Sequence, residues 1–260
     1  MPWLPATRFM RVEEPGVLRA RMAGVYAAKG EWLVFVDDDN VLDPDYLEQA
    51  ARVIARKPEI ALFCGRISAD FEQPPPKWLK PMYRQLAIID FSSDSWAREW
   101  DTDRVPCWTA GMCIRRDVAK QHFDSFADDP MAAVVMNRCE DVQLVMSTVE
   151  SGHLAGLFTT LHMRHLIPPD RMTVGYLKRI SCETAYIMTR LRCDAAGVGI
   201  RDFLRPLKNA LVAVRFGAGP RGQVSLATAW AEFRGVLAAW RVADELALVN
   251  DTSNNKRPAC

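Results

Sequence analysis

Three features predict an α/β fold with crossover connections. Residues 15–29 have helical spacing, with Leu18, Met22, Val25 and Tyr26 on one face. The run Trp32-Leu33-Val34-Phe35-Val36 is continuously apolar, as in a strand buried on both faces. Residues 44–57 return to helical spacing through Leu47, Ala50, Ala51 and Ile54, and 60–64 form a second short apolar run. Helix, strand, helix, strand is the order that builds a sheet through crossovers.

The punctuation agrees. Pro15 suits the first helical position and Gly30 the residue just past the end. Asp43-Pro44 suits an N-cap followed by a first helical residue. Pro58 stops the second helix and Gly65 the second strand. From 70 to 106 regularity is lost around Pro74-Pro75-Pro76, where Trp78, Trp96, Trp100 and Trp108 serve to anchor a long loop or to wall a substrate. Residues 108–114 enter a strand, and Arg115-Arg116-Asp117 end it and begin a helix. Glu140-Asp141 open another helix, with Val142, Val145, Met146 and Val149 in register and Gly152 closing it. A strand is expected over 154–158, followed by His162 and His165. The remainder is predicted to be helical over 174–196, 201–215 and 222–249.

With 260 residues, 49% hydrophobic and 25% charged, the chain suits one or two globular domains. Its net charge of +1 is unevenly spread: residues 1–170 carry −6 and residues 171–260 carry +7. The expected organisation is an α/β core over 1–170, a helical region over 171–250 and a disordered polar tail over 251–260. The basic part suits a membrane surface, an acidic partner or simple packing on the acidic part, and nucleic acid is not expected as a partner. Seven cysteines without a C-x-x-C pair argue for a reducing compartment and against a zinc ribbon. No signal peptide or membrane-spanning run is apparent. The expected location is cytoplasmic, with the membrane face open as a place of peripheral attachment.

Chemistry concentrates at Asp37-Asp38-Asp39-Asn40. Three carboxylates at the end of an apolar strand need solvent or a cation, and strand carboxyl ends are where open α/β sheets bind ligands. A hard divalent cation carrying a diphosphate is the natural partner. An EF-hand is excluded, because Val41 and Leu42 occupy places that need an oxygen ligand and a glycine. Glu140-Asp141 suit a helix N-terminus on electrostatic grounds alone, yet that geometry also fixes a carboxylate as a general base requires. His162 and His165 lack the metalloprotease spacing and are ambiguous by themselves.

The stretch from Ala27 to Leu47, through Gly30-Glu31-Trp32-Leu33-Val34-Phe35-Val36-Asp37-Asp38-Asp39-Asn40, resembles the core of a family 2 glycosyltransferase of the GT-A fold. Three later segments agree in the family's order. Ala110-Gly111-Met112-Cys113-Ile114-Arg115-Arg116 resembles the acceptor-side loop. Cys139-Glu140-Asp141-Val142-Gln143-Leu144 resembles the "ED" motif, and His165-Leu166-Ile167-Pro168-Pro169-Asp170-Arg171 the downstream His-hydrophobe-Pro-x-Arg segment.

The resemblance implies a Rossmann-like mixed sheet followed by a helical C-terminal region. It implies an inverting, metal-dependent transfer of sugar from a nucleotide-sugar donor to a glycan or lipid-linked acceptor. Asp39 and His165 would hold Mn²⁺ or Mg²⁺, with His162 as second choice. Asp37, Asp38 and Arg21 would contact the donor. Trp108, Gly111 and Met112 would face the acceptor. Asp141 would be the base, with Glu140 next in line.

Two departures stand out. The family commonly carries Arg-Asn where this chain has Arg21-Met22, and Met cannot donate the amide's hydrogen bonds. The strands that cradle the base and ribose, about 70–90 residues by βαβ unit lengths, have no counterpart before residue 15, so the sheet is expected to be N-terminally truncated. That predicts an exposed apolar sheet edge, oligomerisation or aggregation, and no activity for the chain alone. The alternative reading is therefore an inactive remnant that serves as a binding module. A metal-dependent phosphate-handling enzyme is a third.

Overall fold

The computed structural model describes residues 7–99, 108–125 and 140–254. These fall into two compact units, 1–70 with 87–166 and 71–86 with 167–260. The segment 71–86, which precedes the expected boundary at residue 170, thus groups with the helical part of the chain.

In the first unit, helix α1 (Val17–Ala27) precedes strand β1 (Trp32–Val34), strand β2 (Asn40–Leu42) and helix α2 (Tyr46–Arg56). Strand β3 (Ile60–Phe71) and the short β4 (Ser95–Ala97) follow, then β5 (Cys113–Arg115), helix α3 (Arg116–Asp124), helix α4 (Glu140–Glu150) and strand β6 (Leu154–Ile167). The sheet order is β1-β5-β3-β6-β2, with β4 also paired to β6. Pairs β1–β5, β3–β5, β2–β6 and β4–β6 are antiparallel. Between β3 and β6, Leu154 N donates to Glu59 O and Glu72 N to Ile167 O, so these two strands run the same way. The sheet is mixed, as expected for the α/β fold read from the sequence.

Side-chain alternation builds the layers. Leu62, Cys64, Met112, Ile114, Ala155 and Leu157 pack with α1, α3 and α4. Their neighbours Phe63, Cys113, Leu154 and Phe158 belong to a second cluster with Tyr46, Ala50 and Val53 of α2. The sheet is thus covered by helices on both faces.

Several local expectations are corrected. Gly16, not the residue before Pro15, caps α1. Helix α2 begins at Tyr46 after Asp45, and Asp43 does not cap it; the Asp43 carboxylate faces His162 instead. Strand β1 stops at Val34. It is half-buried, it ends the strand order with β5 as its neighbour among the described residues, and Val36 beyond it is exposed. Backbone pairing nonetheless continues, since Phe35 N donates to Met112 O and Gly111 N to Phe35 O, each at 2.9 Å.

Gly65 does not end β3. A Cβ there would lie 2.4 Å from Leu161, so glycine is what lets β3 and β6 approach closely. Strand β6 runs to Ile167, placing His162 and His165 within a strand rather than after one. The irregular region contains a 3-10 stretch, Lys77–Leu86, in addition to β4.

The second unit contains helices α5 (Val174–Ala196), α6 (Ile200–Val214) and α7 (Pro220–Asn254). All lie within a few residues of the predicted spans. Thr173 caps α5 by accepting from Tyr176 N, and the Asp202 carboxylate reaches back to Gly199 N at the start of α6. Residues 251–254, expected in the tail, continue the α7 ladder; residues 255–260, Trp100, Cys107 and Cys139 lie outside the described residues.

One core group makes stability depend on pH. His122 of α3 is 2% exposed, and burial pushes its imidazole down to about 4. The folded chain keeps it neutral while the unfolded chain protonates it near the ordinary value, so its contribution is lost as the pH falls from about 6.5 toward 4. The full loss amounts to roughly 3 kcal/mol. Between about pH 7.5 and pH 5, denaturant unfolding should show wild type losing about 2 kcal/mol more than His122→Asn.

Candidate functional site

The loop after β1 carries the Asp cluster, and Asn40 shapes it. Asn40 N donates to Asp37 O at 3.1 Å, closing a tight turn. The Asn40 side chain accepts from Asp37 N at 3.3 Å and donates to Asp39 Oδ1 at 2.9 Å. This is the local side-chain-to-backbone bonding that Asn favours at turns. Asn40 is also the first residue of β2, paired opposite His165. That register sets Asp39 beside β6: Leu166 N donates to Asp39 O at 2.8 Å, and Asp39 Oδ2 lies 3.4 Å from His165 Nε2. Asp39 and His165 are therefore neighbours in space. Asp38 projects into solvent.

Arg21 binds the loop to a second motif. From α1 its Nη2 donates to Asp37 Oδ1 and Oδ2, at 3.0 and 3.3 Å, and its Nη1 donates to Glu140 Oε1. The guanidinium also lies over the Phe35 ring, 5.9 Å from its centroid. Side-chain exposure is 13% for Arg21, 4% for Glu140 and 43% for Asp37. Burial of Arg21 opposes its charge, but Glu140 and Asp37 outweigh it and hold the guanidinium above its usual value. At Glu140 the balance falls the other way: burial pushes the carboxyl up despite Arg21.

Asp141, next along α4, keeps partial exposure. Burial raises its carboxyl above the usual range, against the Val142 N–H bond and the Arg21 charge, which pull it down. The two carboxylates of the pair therefore differ. Glu140 is buried and tied to a guanidinium, whereas Asp141 is half-buried and bonded to the Val142 N–H; burial raises both carboxyls above the usual range.

The acceptor-side residues are placed less uniformly. Gly111 has φ +72°, and a Cβ there would lie 2.7 Å from the Tyr46 hydroxyl, which donates to Gly111 O. Only glycine suits this position. Met112 is 0% exposed and packs beside Leu62 and Ile114, so its expected acceptor contact does not fit; it anchors the loop to the core. Trp108 is half-buried against the cluster around Tyr46 and Phe63, and its carbonyl accepts from the Cys64 thiol. His162 is occupied elsewhere, bridging Asp43 Oδ2 and Ser68 Oγ at 2.9 Å each across three strands.

Among the described residues no three His, Cys, Asp or Glu side chains form a metal cage. The Asp39–His165 edge can contribute two ligands. Adjacent ligands of an octahedral ion with bonds of about 2.1 Å lie about 3 Å apart, close to the 3.4 Å separation of Oδ2 and Nε2. Ions of this type take one or two protein ligands and complete their shell with water and substrate phosphates.

Sequence reasoning missed the roles of Asn40 and of the Asp43–His162–Ser68 ladder. An Asn directly after an Asp triplet is a turn signal that could have found the first. The second depends on strand register and left no local trace.

Residues 5–123 match the family model for Glycosyl transferase family 2. Among solved structures, residues 1–349 of TarS from S. aureus are similar with a TM-score of 0.36 and 12% identity, over 88% of this chain and 72% of that one. No curated protein matches the chain. The family resemblance carried by the Asp cluster and the acceptor-side loop is thus shared by a family model whose match runs from before α1 into α3.

Proposed function

We propose that this chain is an inverting glycosyltransferase, or a fragment of one, that moves a sugar from a nucleotide-sugar donor to a hydroxyl of a glycan or lipid-linked acceptor. The observation that carries the reading is the Arg21 bridge. One half-buried guanidinium gathers Asp37 of the Asp loop and Glu140 of the "ED" helix, two motifs 103 residues apart in sequence.

Asp141 accepts the proton of the acceptor hydroxyl as that oxygen attacks the anomeric carbon. The new carbon–oxygen bond forms as the bond to the diphosphate breaks, and its electron pair leaves with the nucleoside diphosphate. Glu140 is a positioning residue, whose contact with Arg21 ties the first turn of α4 to the Asp37 loop. Asp37 and Asp38 face the donor's ribose and sugar. Asp39 and His165 would hold Mn²⁺ or Mg²⁺, which when bound would neutralise charge on the diphosphate.

The test is thermal unfolding with a panel of nucleoside diphosphates and nucleotide-sugars, with and without Mn²⁺. A ligand at a hundred times its Kd should stabilise the fold by about 2.7 kcal/mol. Asp39→Ala should abolish the Mn²⁺-dependent part while leaving the unliganded Tm nearly unchanged, because a half-exposed loop carboxylate contributes little to the core. Absence of metal-dependent stabilisation by every nucleotide would sink the reading, and retention of it in Asp39→Ala would remove the metal from that residue.

A further inference from the structure

Helix α6 has two faces with different fates. Asn209 donates to Glu232 of α7 at 2.7 Å, and Pro206 and Ala213 are buried on the same side. The opposite side carries Ile200, Leu204, Leu207, Leu211 and Val214, at steps of four, three, four and three. Such steps confine them to an arc of about 80° on the helix. All five are exposed, from 54% at Leu204 to 77% at Ile200. A core-facing stripe would be covered; this one is turned to solvent along the whole 15-residue helix.

The charges are equally one-sided. Arg201, Arg205, Lys208 and Arg215 are all exposed. Helical geometry puts them along one flank of the stripe, about 60° to 140° round from its centre. The only acid of the helix, Asp202, lies on the far side, where it bonds Gly199 N and faces Arg192. The helix spans about 22 Å at 1.5 Å per residue, too short to cross a bilayer. No helix among the described residues is long and apolar enough to do so.

We propose that α6 lies in the plane of an anionic lipid surface, with the Ile200–Val214 stripe sunk among the acyl chains and the basic flank against acidic headgroups. An exposed apolar stripe with cations along its border is the arrangement that binds such an interface. The basic flank is what selects an anionic bilayer over an apolar protein partner. The inference gives the proposed transferase a way to reach lipid-linked acceptors, but the attachment rests on α6 alone.

Vesicle flotation tests it without any sugar transfer, so its failure leaves the transferase reading standing. The full chain should float with vesicles of phosphatidylcholine containing about 30% phosphatidylglycerol, and binding should fall at least about tenfold at 1 M salt, where screening shortens to about 3 Å. The triple variant Leu204→Gln, Leu207→Gln, Leu211→Gln should lose at least about tenfold in binding while keeping its helical circular dichroism, because the residues replaced are exposed. Arg201→Gln, Arg205→Gln, Lys208→Gln should lose preference for the anionic vesicles. Failure to bind them at low salt, or equal binding to pure phosphatidylcholine, would overturn the proposal. So would a concentration-dependent dimer that the leucine variant abolishes in the absence of lipid binding, since the stripe would then face a second copy of the chain.

Discussion

Arg21→Met is expected to cost about 3–5 kcal/mol of folding stability, the usual result of removing one partner from a buried ion pair. Glu140 is 4% exposed and has burial already working against its charge. Without Arg21 it must stay charged in a poorly solvated place or take up a proton. In a chain of this size the loss corresponds to a fall in Tm of roughly 10 °C. Arg21→Lys should recover only part of it, because one ammonium cannot match the two-pronged contact of Nη1 with Glu140 and Nη2 with Asp37. The double variant Arg21→Met, Glu140→Met should recover most of it, since replacing a buried pair by apolar groups of similar volume is often close to neutral. Thermal unfolding of the four proteins decides the matter. An unchanged Tm in Arg21→Met would show that the bridge contributes nothing to the fold. A double variant as unstable as the single would place the cost outside the charge pair.

This bridge also marks where the sequence stops being legible. Helical spacing and the Asp and Glu-Asp motifs are local, and they located α1, α2, α4 and the three C-terminal helices to within a few residues. For Arg21 the family resemblance implied a donor contact, and nothing near it in sequence announces a partner 119 residues away. Strand β2 is three residues long, too short for a period, and exists because Asn40–Leu42 pair with Met163–His165. Asp43 had the better capping signature, yet Asp45 precedes the helix, since Asp43 has a histidine from β6 to meet. Gly65 resembled a strand end and is instead a close-approach point inside one. In Gly111-Met112 the glycine's conformational demand and the methionine's burial could not be separated from acceptor contact without knowing which sheet face Met112 takes. Each miss is a tertiary pairing overriding a local preference.

In a full-length, active form of the protein, Asp141→Asn is expected to cut sugar transfer by at least about a hundredfold, the usual contribution of a general base, with nucleotide binding retained. The amide keeps the carboxylate's size and can still accept from Val142 N, so the first turn of α4 should survive. What it loses is the basicity needed to take the acceptor's proton. The pH profile offers a sharper reading than the rate. Burial raises the Asp141 carboxyl, so the acid limb of the wild-type profile should lie above the ordinary carboxylate range, with activity lost as the pH falls through it. In Asp141→Asn that limb should disappear along with most of the rate. Glu140→Gln should behave differently: with Glu140 tied to Arg21 rather than open to substrate, its loss should lower the rate through positioning and leave an acid limb in place. Near-normal turnover in Asp141→Asn, or an acid limb that persists there and vanishes in Glu140→Gln, would move the base to Glu140 and require the Arg21 contact to open during the reaction.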